Sequence, residues 1–323
     1  MQIRFIAGLC GLLLAGFGAL AAAQSYPARP VRLVVPFPPG SPSDTLGRMV
    51  AQRLTDRLGQ PVVLDNRAGA AGTVGVEIAS KAPPDGHTIL VASTGGLAIS
   101  PALNPRIAYD PLKDLAPISL IAYSPFIFAV GPSVPANTFK EFVALARARP
   151  GQLNYASTGT GSATHLAVEQ LRRVTGFELT QVAYKGGGLG VIALMAGEVQ
   201  AMFTGMPVLL PFVKSGKIKG LAVSSAKRSP LVPGMPTMIE SGVPGYTMGL
   251  SIGMLAPART PPVIIGRLNR DIVDIVRSAD IREGFLVQGA ESIGSTPAEY
   301  AAHMASELKR YRAIIKDTGI RLE

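Results

Sequence analysis

The chain has 323 residues, 47% of them hydrophobic and 16% charged. That is the length of two ordinary domains, with enough apolar content for a substantial core, and it excludes a disordered chain. The formal net charge is +10, but Lys and Arg are spread out with no basic run and no aromatic interleaving. Nucleic acid is therefore not expected as a partner, which leaves a basic solvated surface or an anionic ligand.

Residues 1–23, MQIRFIAGLCGLLLAGFGALAAA, read as a secretory signal peptide: a short n-region with Arg4, an apolar run, then AAA before Gln24. An uncleaved anchor is the alternative, but small residues and a polar Gln-Ser follow the run, so cleavage after Ala23 is expected. The single cysteine, Cys10, lies inside this leader, preceded by Leu9 rather than the small residue of a lipoprotein. The mature chain then has neither disulfide nor thiol chemistry. No second apolar stretch suits a bilayer span, and the expected product is a soluble protein of the bacterial periplasm.

After the leader, strand-like runs alternate with helical periods. VRLVVPF precedes Leu46, Val50, Leu54 and Leu58 on one helix face, PVVLDNR precedes the small-residue helix AGTVGVEIASKA, and HTILVAST follows. This alternation implies right-handed βαβ units and a parallel sheet. LAPISLIAYSPFIFAVGP, interrupted by Pro125, reads as a crossing into a second lobe. There Thr138 and Glu141 form a capping box before TFKEFVALARARP, LNYAST is a strand, and SATHLAVEQLRRVTG is a helix ending at Gly176. LTQVAY, GLGVIALMAG, VQAMF, MPVLLPFVKSG and KGLAVSS continue the alternation, GLSIGMLAP returns, and only helices are expected after it. The expected organisation is an α/β protein of two lobes. The first is discontinuous (24–123 and 252–323), the second is 124–251, and both sheets are mainly parallel. The helical tail is expected to cover the first lobe.

Ligands of open parallel sheets sit beyond the carboxyl ends of strands, where helix N-termini point. PFPPGSPSD, Pro36 to Asp44, occupies such a place. Ser41-Pro42-Ser43-Asp44 reads as N-cap, proline at N1 and acid at N3, so these side chains either cap the helix alone or frame backbone N–H groups for an anion. STGTGSATHLA, Ser157 to Ala167, is a matching hydroxyl- and glycine-rich turn in the second lobe. It is neither a Walker A nor a GxGxxG motif. His165 follows it without any nucleophile frame, so it is either packed or hydrogen-bonding. Further strand-end turns are STGGLAIS, YKGGG and FTGMP. No cluster has metal-ligand spacing, and no cofactor is expected. Polar turns from both lobes would converge on one cleft, as in a hinge-bending binder.

At this point the sequence resembles the periplasmic solute-binding proteins of tripartite tricarboxylate transporters, the Bug family. The resemblance rests on YPARPVRLVVPFPPGSPSD, VVLDNRAGAAGTVGVEIASKAPPDGHTILVAST, YDPLKDLAPISLIA, PGQLNYASTGTGSATHLA, VAYKGG, GKIKGLAVSSAKRSPLVPGMPTMIESGVPGY and GMLAPARTPPVIIGRLN, in that order along the mature chain. It implies a two-lobed type II periplasmic-binding fold and capture of a small organic anion, a mono- or dicarboxylate and possibly an aromatic one, for a membrane permease. Carried over, the ligand-binding set is Pro39, Gly40, Ser41, Ser43 and Thr94 in one lobe. In the other it is Ser157, Thr158, Gly159, Thr160, Ser162 and His165, with Lys185, Gly186 and Thr204. Two departures stand out. Gly40-Ser41 replaces the frequent Gly-Gly, and Thr204 stands where many members carry Asp, which argues against an amino-acid ligand. The expected partners are the small organic anion and the permease subunits, with the protein acting as a monomer. A sensory receptor presenting its ligand to a membrane kinase is the alternative role. An enzyme on the same scaffold would need a partnered nucleophile or base, and none is visible.

Overall fold

The computed structural model describes residues 26–104 and 106–320, so residues 1–23, expected to be a signal peptide, lie outside the described residues. Strand β1 (Val31–Val35) is a β-branched run with one intermediate residue among four buried ones. It lies between β2 (Val62–Asn66) and β3 (Thr88–Ser93), parallel to both. Helix α1 (Pro42–Leu58) buries Leu46, Val50, Leu54 and Leu58 against this sheet and stops at Gly59, whose φ of 70° permits the left-handed cap. Helix α2 (Thr73–Ser80) ends before the Pro83-Pro84 pair. After β3 the chain forms a π-helical turn, Gly95–Ile99, that runs directly into the short helix α3 (Ser100–Leu103).

Strand β4 (Leu115–Val130) is one unbroken strand of 16 residues, and Pro125 does not interrupt it. Residues up to Pro125 pair antiparallel with β9 (Gly249–Pro257); from Phe126 onward the partners are β7 (Ala201–Gly205) and β8 (Lys219–Val223). Proline has no N–H to donate, and it sits where the strand changes partners. Beyond it, α4 (Phe139–Ala148), β5 (Asn154–Ser157), α5 (Ala163–Thr175), β6 (Thr180–Ala183), α6 (Gly187–Ala196) and α7 (Met206–Lys214) complete the second lobe.

The sheets are mixed rather than mainly parallel. The continuous path is β2-β1-β3-β9-β4-β7-β5-β6, and only β2-β1-β3 and β7-β5-β6 are parallel runs. The cause is topological. One strand carries the chain out of the first lobe and another brings it back, and these two, β4 and β9, run antiparallel through the middle.

Helices α8 (Pro262–Arg277) and α9 (Ala279–Val287) follow, then a short strand β10 (Glu291–Ser292) that the sequence reading did not anticipate and that pairs antiparallel with β4. The last helix, α10 (Pro297–Thr318), opens with a reciprocal capping box between Thr296 and Glu299. It was expected to return to the first lobe. Its Tyr300 and Met304 do so, packing with Val34, Leu90 and Leu255. Its Tyr311 and Ile314 instead enter the second-lobe core with Phe128, Phe142 and Leu166. Within that core Phe128 meets Phe139 edge-on at 5.0 Å between ring centres, a contact worth about 1 kcal/mol beyond burial.

Candidate ligand-binding cleft

A cavity of about 400 Å³ lies where the two lobes meet. The first lobe contributes the start of α1, with Ser41, Pro42 and Ser43, and the segment after β3, with Ser93, Gly95 and Ser100. The second lobe contributes Thr158, Thr160, Gly161, Ser162 and Ala163 at the start of α5. Leu250 and Ile252 of the crossing strand β9 also line it. A wider hollow of about 970 Å³ lies elsewhere, between α4 and residues 232–243. It takes residues from the second lobe alone, and neither of the glycine-rich turns reaches it.

In the first-lobe turn, Ser41 has extended φ and ψ and caps α1: its Oγ accepts from the Asp44 N–H at 3.3 Å. Asp44 does more than occupy N3. Its buried carboxylate accepts from the Gly40 N–H at 2.9 Å, Asn66 Nδ2 at 2.9 Å and Arg48 Nη2 at 3.0 Å. Burial pushes this carboxyl up, but the hydrogen bonds from Asn66 and Gly40, with the Arg48 charge, outweigh it and hold it below the usual range. Asn66 also donates to the Phe37 carbonyl at 3.0 Å, which ties the turn to the end of β2. Gly40 takes a φ of +81°, open to glycine without strain. The charge of Asp44 is consumed inside the turn, and the first-turn N–H of Ser43 has no acceptor within the helix.

The second-lobe turn is braced without charge. Ser162 caps α5, its Oγ accepting from the His165 N–H at 3.2 Å and lying 2.8 Å from Thr164 Oγ1. Thr158 donates its N–H to Thr164 Oγ1 at 2.9 Å. Gly161 donates its N–H to His165 Nδ1 at 3.0 Å, which assigns the ring as the neutral Nε2–H tautomer. Burial pushes the His165 pKa down; the Glu169 charge opposes this and Arg172 adds to it. His165 is buried behind the turn and does not line the cavity.

A third stretch borders the cavity. Ser43, Ser93 and Ser100 are 2%, 7% and 8% exposed, and among the described residues their hydroxyls have no hydrogen-bond partner. The STGGLAIS turn was recognised from sequence, but Ser93 and Ser100 were not singled out. Thr94, which was, does not line the cavity: its Oγ1 accepts from the Ser251 N–H at 2.9 Å and ties β3 to β9. The loop before α2 closes this side. Ala70 and Ala71 take φ of 44° and 55°, left-handed conformations that cost an alanine roughly 1 kcal/mol each. Ala71 lines the cavity beside Phe37, whose ring lies so close to Gly72 that a Cβ there would come within 2.8 Å of it.

Of the expected site residues, Ser41, Ser43, Thr158, Thr160 and Ser162 therefore meet at one cavity. Pro39, Gly40 and Gly159 flank it within the same turns. Ser157 is buried, accepting from Gln181 Nε2 at 2.7 Å. Lys185 and Gly186 are exposed and outside its wall, and Thr204 is buried in β7 opposite Ile127. Among the lining residues missed from sequence are the apolar Phe37, Ile99, Leu103, Leu250 and Ile252, together with Ser93 and Ser100.

The model of the tripartite tricarboxylate transporter family receptor matches residues 46–320. The chain belongs to that family. Protein BugT of Bordetella pertussis is 36% identical over 326 residues, covering 100% of both chains. Among solved structures, an R. palustris protein with adipate is 34% identical, with a TM-score of 0.81, over 92% of this chain and 99% of that one. MatC from Rhodopseudomonas palustris with bound malate is 31% identical, with a TM-score of 0.76, over 90% and 100%. As in these receptors, the fold is the two-lobed α/β fold of periplasmic binding proteins. Among the described residues no helix is long and apolar enough to cross a membrane.

Proposed function

We propose that this receptor captures a small organic carboxylate in the cleft between its lobes and delivers it to the membrane components of a tripartite tricarboxylate-type transporter. On this reading residues 1–23 export the chain, which acts as a monomer in the periplasm, with lobes divided near residues 124 and 251. The observation that carries it is the meeting of two braced helix starts, one from each lobe, at a single cavity. The first-turn N–H groups and the helix dipoles favour an anion there, and the turn's own acid, Asp44, is already engaged. The carboxylates named with two solved relatives support the ligand class.

The test is a dye-based thermal-shift screen of residues 24–323 against mono-, di- and tricarboxylates, with the matching amides as controls. A ligand at about a hundredfold over its Kd adds roughly 2.7 kcal/mol, enough to move the Tm by a few degrees. At least one carboxylate should shift the protein and its amide should not. Silence across the panel, with native mass spectrometry showing no ligand carried through purification, would sink the reading. Loss of uptake of the bound acid in cells lacking this chain is the expected outcome for delivery.

A further inference from the structure

The cavity wall contains no Lys, Arg, His, Asp or Glu. The hydroxyls of Ser41, Thr158 and Ser162 on this wall are engaged within their own turns, and that of Thr160 stands at the exposed rim. Two further sets of side chains face a ligand. One is the three partnerless serine hydroxyls, Ser43 at the start of α1, Ser93 at the end of β3 and Ser100 at the start of α3. The residues are mostly buried, yet none of the three Oγ atoms is fully enclosed, so hydroxyls that no protein group satisfies reach the cavity, where a ligand or water completes them. A carboxylate suits them, because its oxygens offer about four lone-pair sites and hydroxyls can donate to them. The other set is Phe37, Ile99, Leu103, Leu250 and Ile252, the large apolar side chains of the wall. Nothing in that second set can hydrogen-bond a hydroxyl on a ligand's body.

Resting on the carboxylate-binding reading above, we propose that this receptor selects acids with a plain apolar chain or ring over hydroxylated acids, and that Ser43, Ser93 and Ser100 grip the carboxylate. A hydroxyl on the ligand's body set against the isoleucine and leucine side chains, away from Thr160 at the rim, would lose its water and regain nothing. Apolar pockets reject an added hydroxyl by about a hundredfold at best, so about tenfold or more is the expected discrimination.

Calorimetric titration of the mature chain with two chain-matched pairs tests this: hexanoate against gluconate, and adipate against galactarate. The plain member of at least one pair should bind, and bind about tenfold or more tighter than its hydroxylated partner. A hydroxylated acid that binds as tightly as its plain partner overturns the proposal. So does binding of other carboxylates, such as citrate, when neither plain acid binds, although the carboxylate reading then stands. If no carboxylate of any kind binds, both fall together. The Ser93→Ala and Ser100→Ala variants supply the second readout. Each should weaken the plain acid by about tenfold while leaving the Tm of the ligand-free protein unchanged or raised, since the hydroxyl removed has no partner in the protein. Unchanged affinity, or a lowered ligand-free Tm, would mean that the serines serve the fold instead.

Discussion

The two turns that face each other across the cleft share a plan and differ in chemistry. Each follows a strand, opens a helix and is capped by a serine, Ser41 or Ser162, whose Oγ accepts the N–H three residues on. The first is then cross-braced by an ionised group, the Asp44 carboxylate held by Gly40, Asn66 and Arg48. The second is cross-braced by neutral ones, His165 Nδ1 and the Thr158, Ser162 and Thr164 hydroxyls. Backbone N–H groups can be held outward by either device. The difference appears in what each turn tolerates: the first is sensitive to loss of a charge, the second to gain of one.

The largest expected effect comes from breaking the ionic brace. Asp44→Ala strands Gly40 N–H, Asn66 and Arg48 together and should cost about 3 kcal/mol in urea unfolding, with loss of carboxylate binding. A cost under about 1 kcal/mol would show that the turn holds its shape without the carboxylate. Breaking the neutral brace should cost less: His165→Ala leaves the buried Gly161 N–H unpaired, about 1–2 kcal/mol, and His165→Asn, which restores an acceptor, should recover part of it.

The same histidine separates the turns by pH. Its folded pKa lies below the ordinary value of 6.5, so in the window between the two the unfolded chain binds a proton that the folded chain refuses. The stability it contributes is full above 6.5 and is lost as pH falls through that window. His303, half-buried and also shifted down by burial, acts in the same direction. The Tm should therefore fall between about pH 7 and pH 5, and His165→Asn should flatten part of that slope. Asp44, shifted down, contributes stability that persists above the ordinary carboxyl range and is lost only in stronger acid, so a D44A variant should leave the mild-acid slope intact.

The smallest effect compares the caps directly. Ser41→Ala and Ser162→Ala should each cost about 1 kcal/mol, with Ser162 the costlier because its hydroxyl also meets Thr164. Equal losses in parallel urea titrations would remove the hydroxyl cluster from the brace.

Local chemistry was legible in the sequence where a signal and its consequence lie within a few residues. Ser41-Pro42-Ser43-Asp44 announces a helix start, as does Thr138 with Glu141, and both are helix starts in the structure. Gly176 ends its helix in the left-handed conformation that its position implies. What stayed hidden depends on distant partners. Ser93 and Ser100 are ordinary serines in a mostly apolar stretch, and only the π-helical turn between them brings both to the cavity wall. The apolar wall likewise draws on Phe37, Ile99, Leu103, Leu250 and Ile252, from three separate stretches of chain. His165 was left open between packing and hydrogen bonding, and the geometry makes it both: buried, and the acceptor for Gly161. Pro125 suggested a break, whereas the strand passes through it by exchanging one neighbour for another.

The last helix carries a consequence for how the molecule comes apart. Tyr300 and Met304 complete one core and Tyr311 and Ile314 complete the other, all on one rigid rod of 22 residues. Peeling that rod away exposes both cores at once, so neither half has a melting event of its own. Calorimetry of the intact chain should register a single cooperative transition, and the two halves share one folding fate.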